Sequence, residues 1–180
     1  MHQFALLVAD DLELAALAAR DGDVRVARRV LRHTTGREAA HRDAEAEVRS
    51  WAVEAGCGWR RACCSLQFVG ELAAISTLST ALARRTATRG VPVPVRNAMG
   101  GELGLLGTAG SRRLRHLALL GGPAMDAEFQ HGGSELRECL TRLTCTGAGC
   151  RAADGPAVSS TCAALVQAVL TASRYAARAA

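Results

Sequence analysis

Four groups of residues have the type and spacing to do chemistry. The stretch Gly104-Leu105-Leu106-Gly107-Thr108-Ala109-Gly110-Ser111 has the look of a loop that cradles phosphate. A phosphate loop of the Walker kind needs a lysine to reach the phosphates and a strand before it. This chain has no lysine and no strand pattern there, so the stretch reads as a glycine-weakened helix or loop. The seven cysteines are Cys57, Cys63, Cys64, Cys139, Cys145, Cys150 and Cys162, with no CxxC among them to offer two thiolates to a zinc ion. Cys63, Cys64, Cys139 and Cys162 read as small core residues. Cys145 and Cys150 flank Thr-Gly-Ala-Gly and form the candidate redox pair, read as lying in a flexible loop. His41 and Glu45 share one helix face, but no second histidine completes an HExxH-type site. His33, His116 and His131 have no assignable nucleophile, and there is no GxSxG elbow. No enzyme and no cofactor are expected.

The fourth group is basic. Arg84, Arg85 and Arg89, with Arg112, Arg113 and Arg115, are the candidate interaction residues on a chain of net charge +5. They support an alternative reading as an Arg-rich, nucleic-acid-binding helical regulator. Against it, all 22 basic residues are arginine, as a GC-rich genome would also produce. The arginines between Asp21 and Glu54 alternate with acids and lack aromatic neighbours for base stacking, so solvated helix faces are the better reading.

The elements that must hold these residues are helical. Nearly half of the 180 residues are apolar, only six are aromatic, and alanine is abundant, which favours helices packed closely through small side chains. Phe4, Leu7, Val8, Leu14 and Leu17 mark a first helix that ends near Arg20, where Asp21-Gly22-Asp23 supplies a turn and an N-cap. A second helix starts at Val24, breaks at Thr34-Thr35-Gly36 and resumes to about Ala55. After Gly56-Cys57-Gly58, an Ala-rich third helix nearly free of charge covers residues 65–85. Residues 88–97, with Pro92 and Pro94, read as a linker.

Beyond the linker the order recurs. A glycine-containing helix covers residues 98–120, and a break falls at Gly121-Gly122-Pro123. The next helix, residues 124–143, is interrupted at Gly132-Gly133, and a closing Ala-rich helix covers residues 159–178. The expectation is an all-α protein of two tandem three-helix bundles, residues 1–87 and 98–180, joined by 88–97. The uncharged run at residues 155–173 contains Pro156, Ser159, Ser160, Thr161, Gln167 and Thr171 and is expected to be a buried core helix, with no transmembrane segment. An odd number of cysteines and an N-terminus without a signal pattern point to a cytoplasmic protein.

Three stretches carry a resemblance to a known family. Residues 15–31, Ala-Ala-Leu-Ala-Ala-Arg-Asp-Gly-Asp-Val-Arg-Val-Ala-Arg-Arg-Val-Leu, resemble the first-to-second helix junction of the PhoU family, regulators of phosphate uptake built from two three-helix repeats. Residues 71–78, Glu-Leu-Ala-Ala-Ile-Ser-Thr-Leu, are similar to that family's Glu-Leu-Glu-Arg-Ile-Gly-Asp-Leu. Asp154-Gly155-Pro156 resembles the acidic-proline turn before its closing helix. The resemblance covers most of the chain in layout and little of it in identity.

The family's closing helices carry an acid, three intervening residues and an aspartate, whose carboxylates bind a metal cluster. Here the matching positions are Ala73 and Thr77, and the acidic cluster of the second helix falls near Thr34 and Glu38. Glu71 is the sole carboxylate between Glu54 and Glu102, and none follows Asp154, so a hard cation would lack its oxygen ligands. The resemblance implies a regulator acting by protein contacts on a phosphate transporter or its sensor kinase, and the departures from its acidic motifs lead to the expectation that the metal function is not shared. A homodimer is expected from its apolar helical faces.

Overall fold

The computed structural model describes residues 1–54, 58–120, 127–149 and 154–179 of the chain. The protein is all-α, with no strand among the described residues. Its first helix, α1 (His2–Asp21), stops where Gly22 takes a left-handed conformation, φ 72°, ψ 24°. Asp23 then caps α2 (Val24–Arg32), its Oδ1 accepting from the backbone N–H groups of Arg25 at 2.8 Å and Val26 at 3.1 Å. These bonds satisfy two of the donors that a helix start leaves open. A single residue, His33, joins α2 to α3 (Thr34–Glu54). The break therefore falls one residue before the expected Thr34-Thr35-Gly36, which is helical.

The third rod, α4 (Trp59–Arg89), starts six residues earlier than the apolar pattern suggested and ends at Gly90, φ 71°. Only 90–92 are non-helical before α5 (Val93–Leu105), because Pro94 sits in its first turn, where a missing N–H costs nothing. The expected linker 88–97 is thus mostly helix. A π-helical turn, Leu106–Gly110, leads directly into α6 (Ser111–Leu120), so the glycine-rich stretch is a helical rod. It is followed by α7 (Ala127–Gly149), which runs through Gly132-Gly133 without interruption, and α8 (Gly155–Ala179). The expected break at residues 121–123 lies outside the described residues, as do Gly56 and Cys57 of the break expected at 56–58, whose Gly58 is non-helical and stands at the N-cap of α4.

Cross-links fix the directions. Arg115 of α6 reaches Asp10 and Glu13 of α1, while His2 contacts the Ala118 carbonyl, so α6 runs antiparallel to α1. Arg61 donates to the Ala179 carbonyl and Arg85 to Asp154, so α4 and α8 are antiparallel along most of their length. The Cys139 thiol contacts the Glu102 carbonyl at 3.6 Å and Ser159 donates to the Leu143 carbonyl, which orders α5, α7 and α8. The consecutive rods therefore alternate in direction.

One hydrophobic core runs through both halves of the chain. Helix α1 is its spine, with Ala5, Ala9, Ala15, Ala16 and Ala19 fully buried beside Val8 and Leu12, so neighbours approach it from several sides. Close approach explains the glycines opposite it. A Cβ on Gly107 would meet Ala16 Cβ at 3.2 Å, and one on Gly110 would meet Leu12 Cδ2 at 3.1 Å. Leu72, Ile75 and Leu82 of α4 and Leu165, Val166 and Val169 of α8 fill the centre. Helices α4 and α8 each contain a window apolar enough to cross a membrane by length and composition, 39% and 56% of which is buried within the bundle.

Candidate functional site

A cleft of about 280 Å³ opens between the start of α1, the first half of α3 and the middle of α4. Helical spacing puts Thr34, Arg37, Glu38 and His41 on one face of α3. The same periodicity puts Ala73, Ser76, Thr77, Thr80, Ala81 and Arg84 on the facing side of α4. Phe4 of α1 closes one end and stacks on His41 in a tilted arrangement, ring centroids 5.2 Å apart. Thr34, Glu38, Ala73 and Thr77, distant in sequence, thus line one cavity. Glu71 lies on α4 outside the lining, and burial raises its carboxyl above the ordinary range.

The floor of the cleft holds a buried ion pair that reading the sequence missed. Asp11 of α1 and Arg37 of α3 are 1% and 3% exposed, and one guanidinium nitrogen of Arg37 donates to Asp11 Oδ2. That nitrogen also donates to the Val30 carbonyl at 3.1 Å. The other donates to the hydroxyls of Thr34 at 3.0 Å and Thr80 at 2.9 Å. His33 Nδ1 lies 3.0 Å from the second Asp11 oxygen. One planar cation therefore ties α1, the end of α2, α3 and α4 together, using the fork of donors that distinguishes arginine from lysine.

The polar rim is largely committed to the backbone. Thr34 donates to the Leu31 carbonyl, Thr77 to Ala73 and Thr80 to Ser76. His41 lies 3.5 Å from Glu45, one helical turn on. The carboxylate lining the cavity is that of Glu38, and no group of three or more His, Cys, Asp or Glu side chains able to hold a metal ion occurs among the described residues. The donor set, one carboxylate and hydroxyls whose protons point into helices, does not fit a hard cation.

The six candidate interaction arginines do not form one surface. Arg84 is exposed on the cleft rim and Arg89 is exposed at the end of α4, whereas Arg85 pairs with Asp154. On α6, Arg112 points outward and Arg115 bridges Asp10 at 2.8 Å and Glu13 at 2.6 Å, which hold its guanidinium above the usual range. The Nε of Arg113 donates to Ser173 Oγ at 2.6 Å. Burial, with Arg137 nearby, pushes Arg113 down to about 10. Among the described residues, Arg85, Arg113 and Arg115 thus make contacts between separate segments of the fold.

Among the cysteines, Cys64, Cys139 and Cys162 are buried as expected, but Cys63 is exposed because it lies on the outer face of α4. Burial pushes the Cys139 thiol up to about 11 and the Cys162 thiol up to about 12. Cys145 is exposed and sits in α7, since the Thr-Gly-Ala-Gly segment that follows it is helical rather than a loop. Cys57 and Cys150 lie outside the described residues, and with Cys150 the expected redox pair.

Comparison with protein-family models, with curated proteins and with solved structures returned no match.

Proposed function

We propose that the chain is a non-enzymatic, PhoU-like regulatory protein that acts in the cytoplasm through protein contacts, its targets being a phosphate transporter or the associated sensor kinase. Residues 1–87 and 98–180 are its two three-helix repeats, and the working form is a homodimer. The observation that carries this reading is the convergence of Thr34, Glu38, Ala73 and Thr77 on one cleft. The resemblance matched these positions to two separate acidic motifs, and the antiparallel pairing of the successive helices α3 and α4 brings them face to face, as that reading requires. Beneath the same cleft the guanidinium of Arg37 spans Asp11, Thr34 and Thr80, so the junction carries a cation of its own.

The nucleic-acid alternative draws less support, because Arg85, Arg113 and Arg115 make internal contacts. Affinity capture from the native host, with the intact chain and a Thr77→Arg variant that obstructs the cleft, tests the regulatory reading. Recovery of a transporter or kinase subunit by the intact chain and its loss with the variant is the expected result. Recovery of neither partner by the intact chain would sink the reading.

A further inference from the structure

The exposed apolar side chains are unevenly distributed. Val53, Trp59 and Leu119 are 83%, 77% and 66% exposed, and all three lie at one end of the bundle, where α3 and α6 finish and α4 begins. The contacts of Arg61 with the Ala179 carbonyl and of His2 with the Ala118 carbonyl bring the corresponding ends of α8 and α1 to the same level. Both tryptophans of the chain are here, Trp51 in the last turn of α3, with the Arg61 guanidinium 5.6 Å from its ring centroid, and Trp59 at the start of α4.

At the same end Arg60, Arg61 and Arg178 outnumber the acids Glu47 and Glu54. Arg60 and Arg178 are exposed and make no ion pair among the described residues. Two adjoining grooves open there, one along Trp51, Arg61 and Ser65 and the other along Phe68, Leu117 and Ala176; Glu47 is the carboxylate that lines them.

We infer that this end of the bundle docks on the surface of an anionic lipid bilayer, with Trp59, Val53 and Leu119 entering the headgroup boundary and Arg60 and Arg178 facing lipid phosphates. A partner helix would be met by a stripe along one or two helices. Here the protruding groups come from the ends of three different helices, an arrangement that a flat partner touches all at once. Tryptophan suits the boundary because its ring is apolar and its N–H stays hydrated. Arginines beside it add attraction to a negative surface, each by an amount that salt screens. None of Val53, Trp59, Leu119, Arg60 and Arg178 lines the cleft, so this inference stands whether or not the regulatory reading does.

Vesicle sedimentation with the full chain tests it, using phosphatidylcholine vesicles with and without phosphatidylglycerol. The expected result is binding to the phosphatidylglycerol-containing vesicles alone, weakened by salt and accompanied by a blue shift of tryptophan emission, which reports this end of the protein only. Trp59→Ser with Val53→Ser, and separately Arg60→Ser with Arg178→Ser, should each reduce partitioning about tenfold or more, while Val93→Ser at the opposite end leaves it unchanged. These positions are exposed, and unaltered far-ultraviolet circular dichroism establishes that the variants fold. Absence of binding at low salt would overturn the inference, as would equal binding to neutral vesicles or undiminished binding by both double variants.

Discussion

Replacing Arg37 by methionine would isolate the Asp11 carboxylate in a place where water does not reach it, 1% exposed. Removing one partner of a buried pair typically costs about 3–5 kcal/mol, because the remaining charge keeps its desolvation penalty and loses its compensation. For a chain of this length each kcal/mol moves Tm by roughly 2–4 °C, so Arg37→Met should lower Tm by about 6–20 °C. His33, whose Nδ1 lies 3.0 Å from Asp11, leaves the carboxylate one hydrogen-bond partner and places the loss toward the lower part of that range. Replacing both partners, Asp11→Leu with Arg37→Met, removes the stranded charge and should return stability to within about 2 kcal/mol of the parent. Urea titration of the four proteins closes the double-mutant cycle. The reasoning fails if Arg37→Met costs less than about 1 kcal/mol, or if the two single losses add without coupling.

Further outcomes are expected elsewhere. Asp23→Ala removes the cap of α2 and should cost about 1 kcal/mol, read from the urea midpoint. Gly107→Ala and Gly110→Val press a side chain onto Ala16 and Leu12 of α1, and thermal melts should show losses of about 1–3 kcal/mol. Iodoacetamide at pH 8 followed by peptide mapping should label Cys63 and Cys145 and spare Cys139 and Cys162 until the chain is unfolded, since burial holds those two thiols at about 11 and about 12. The raised carboxyl of Glu71 binds its proton more tightly in the folded state, so its stabilising share is complete at acidic pH and is lost as pH rises through the shifted value. Glu71→Gln should therefore raise Tm at pH 7 and leave it unchanged at pH 3, compared by calorimetry.

The helix order was legible because its punctuation is local. Asp21-Gly22-Asp23 carries both the left-handed stop and the cap within three residues, and the structure uses both. Other glycines misled for a tertiary reason. Gly132-Gly133 and the run from Gly104 to Gly110 look like helix breakers, yet they sit inside helical segments, and neighbours crowd in at Gly107, Gly110 and Gly133, while Gly132 faces open space. A Cβ on Gly133 would meet the Arg113 guanidinium at 3.1 Å. Close approach outweighs the roughly 1 kcal/mol that a glycine costs a helix interior.

The buried pair left a fainter trace. Asp11 occupies the apolar register of α1, between Val8 and Ala15, and Arg37 lies seven residues from both Val30 and Ala44, all of them buried. Charges at core spacing on two neighbouring helices are the signal, and composition and motif matching pass over it. The lipid-facing end had no such signal, because Val53, Trp59 and Leu119 come together only through the alternation of helix directions.

Arg37 also decides what the helix junction depends on. A junction clamped by a diffusible ion holds only as firmly as the free concentration of that ion permits, and it loosens whenever a competitor or chelator takes the ion away. A guanidinium carried by the chain is supplied with every molecule synthesised, at a fixed ratio of one to one. The four segments it joins are therefore assembled in the same way whatever the ionic supply of the cell, and their arrangement carries no information about it.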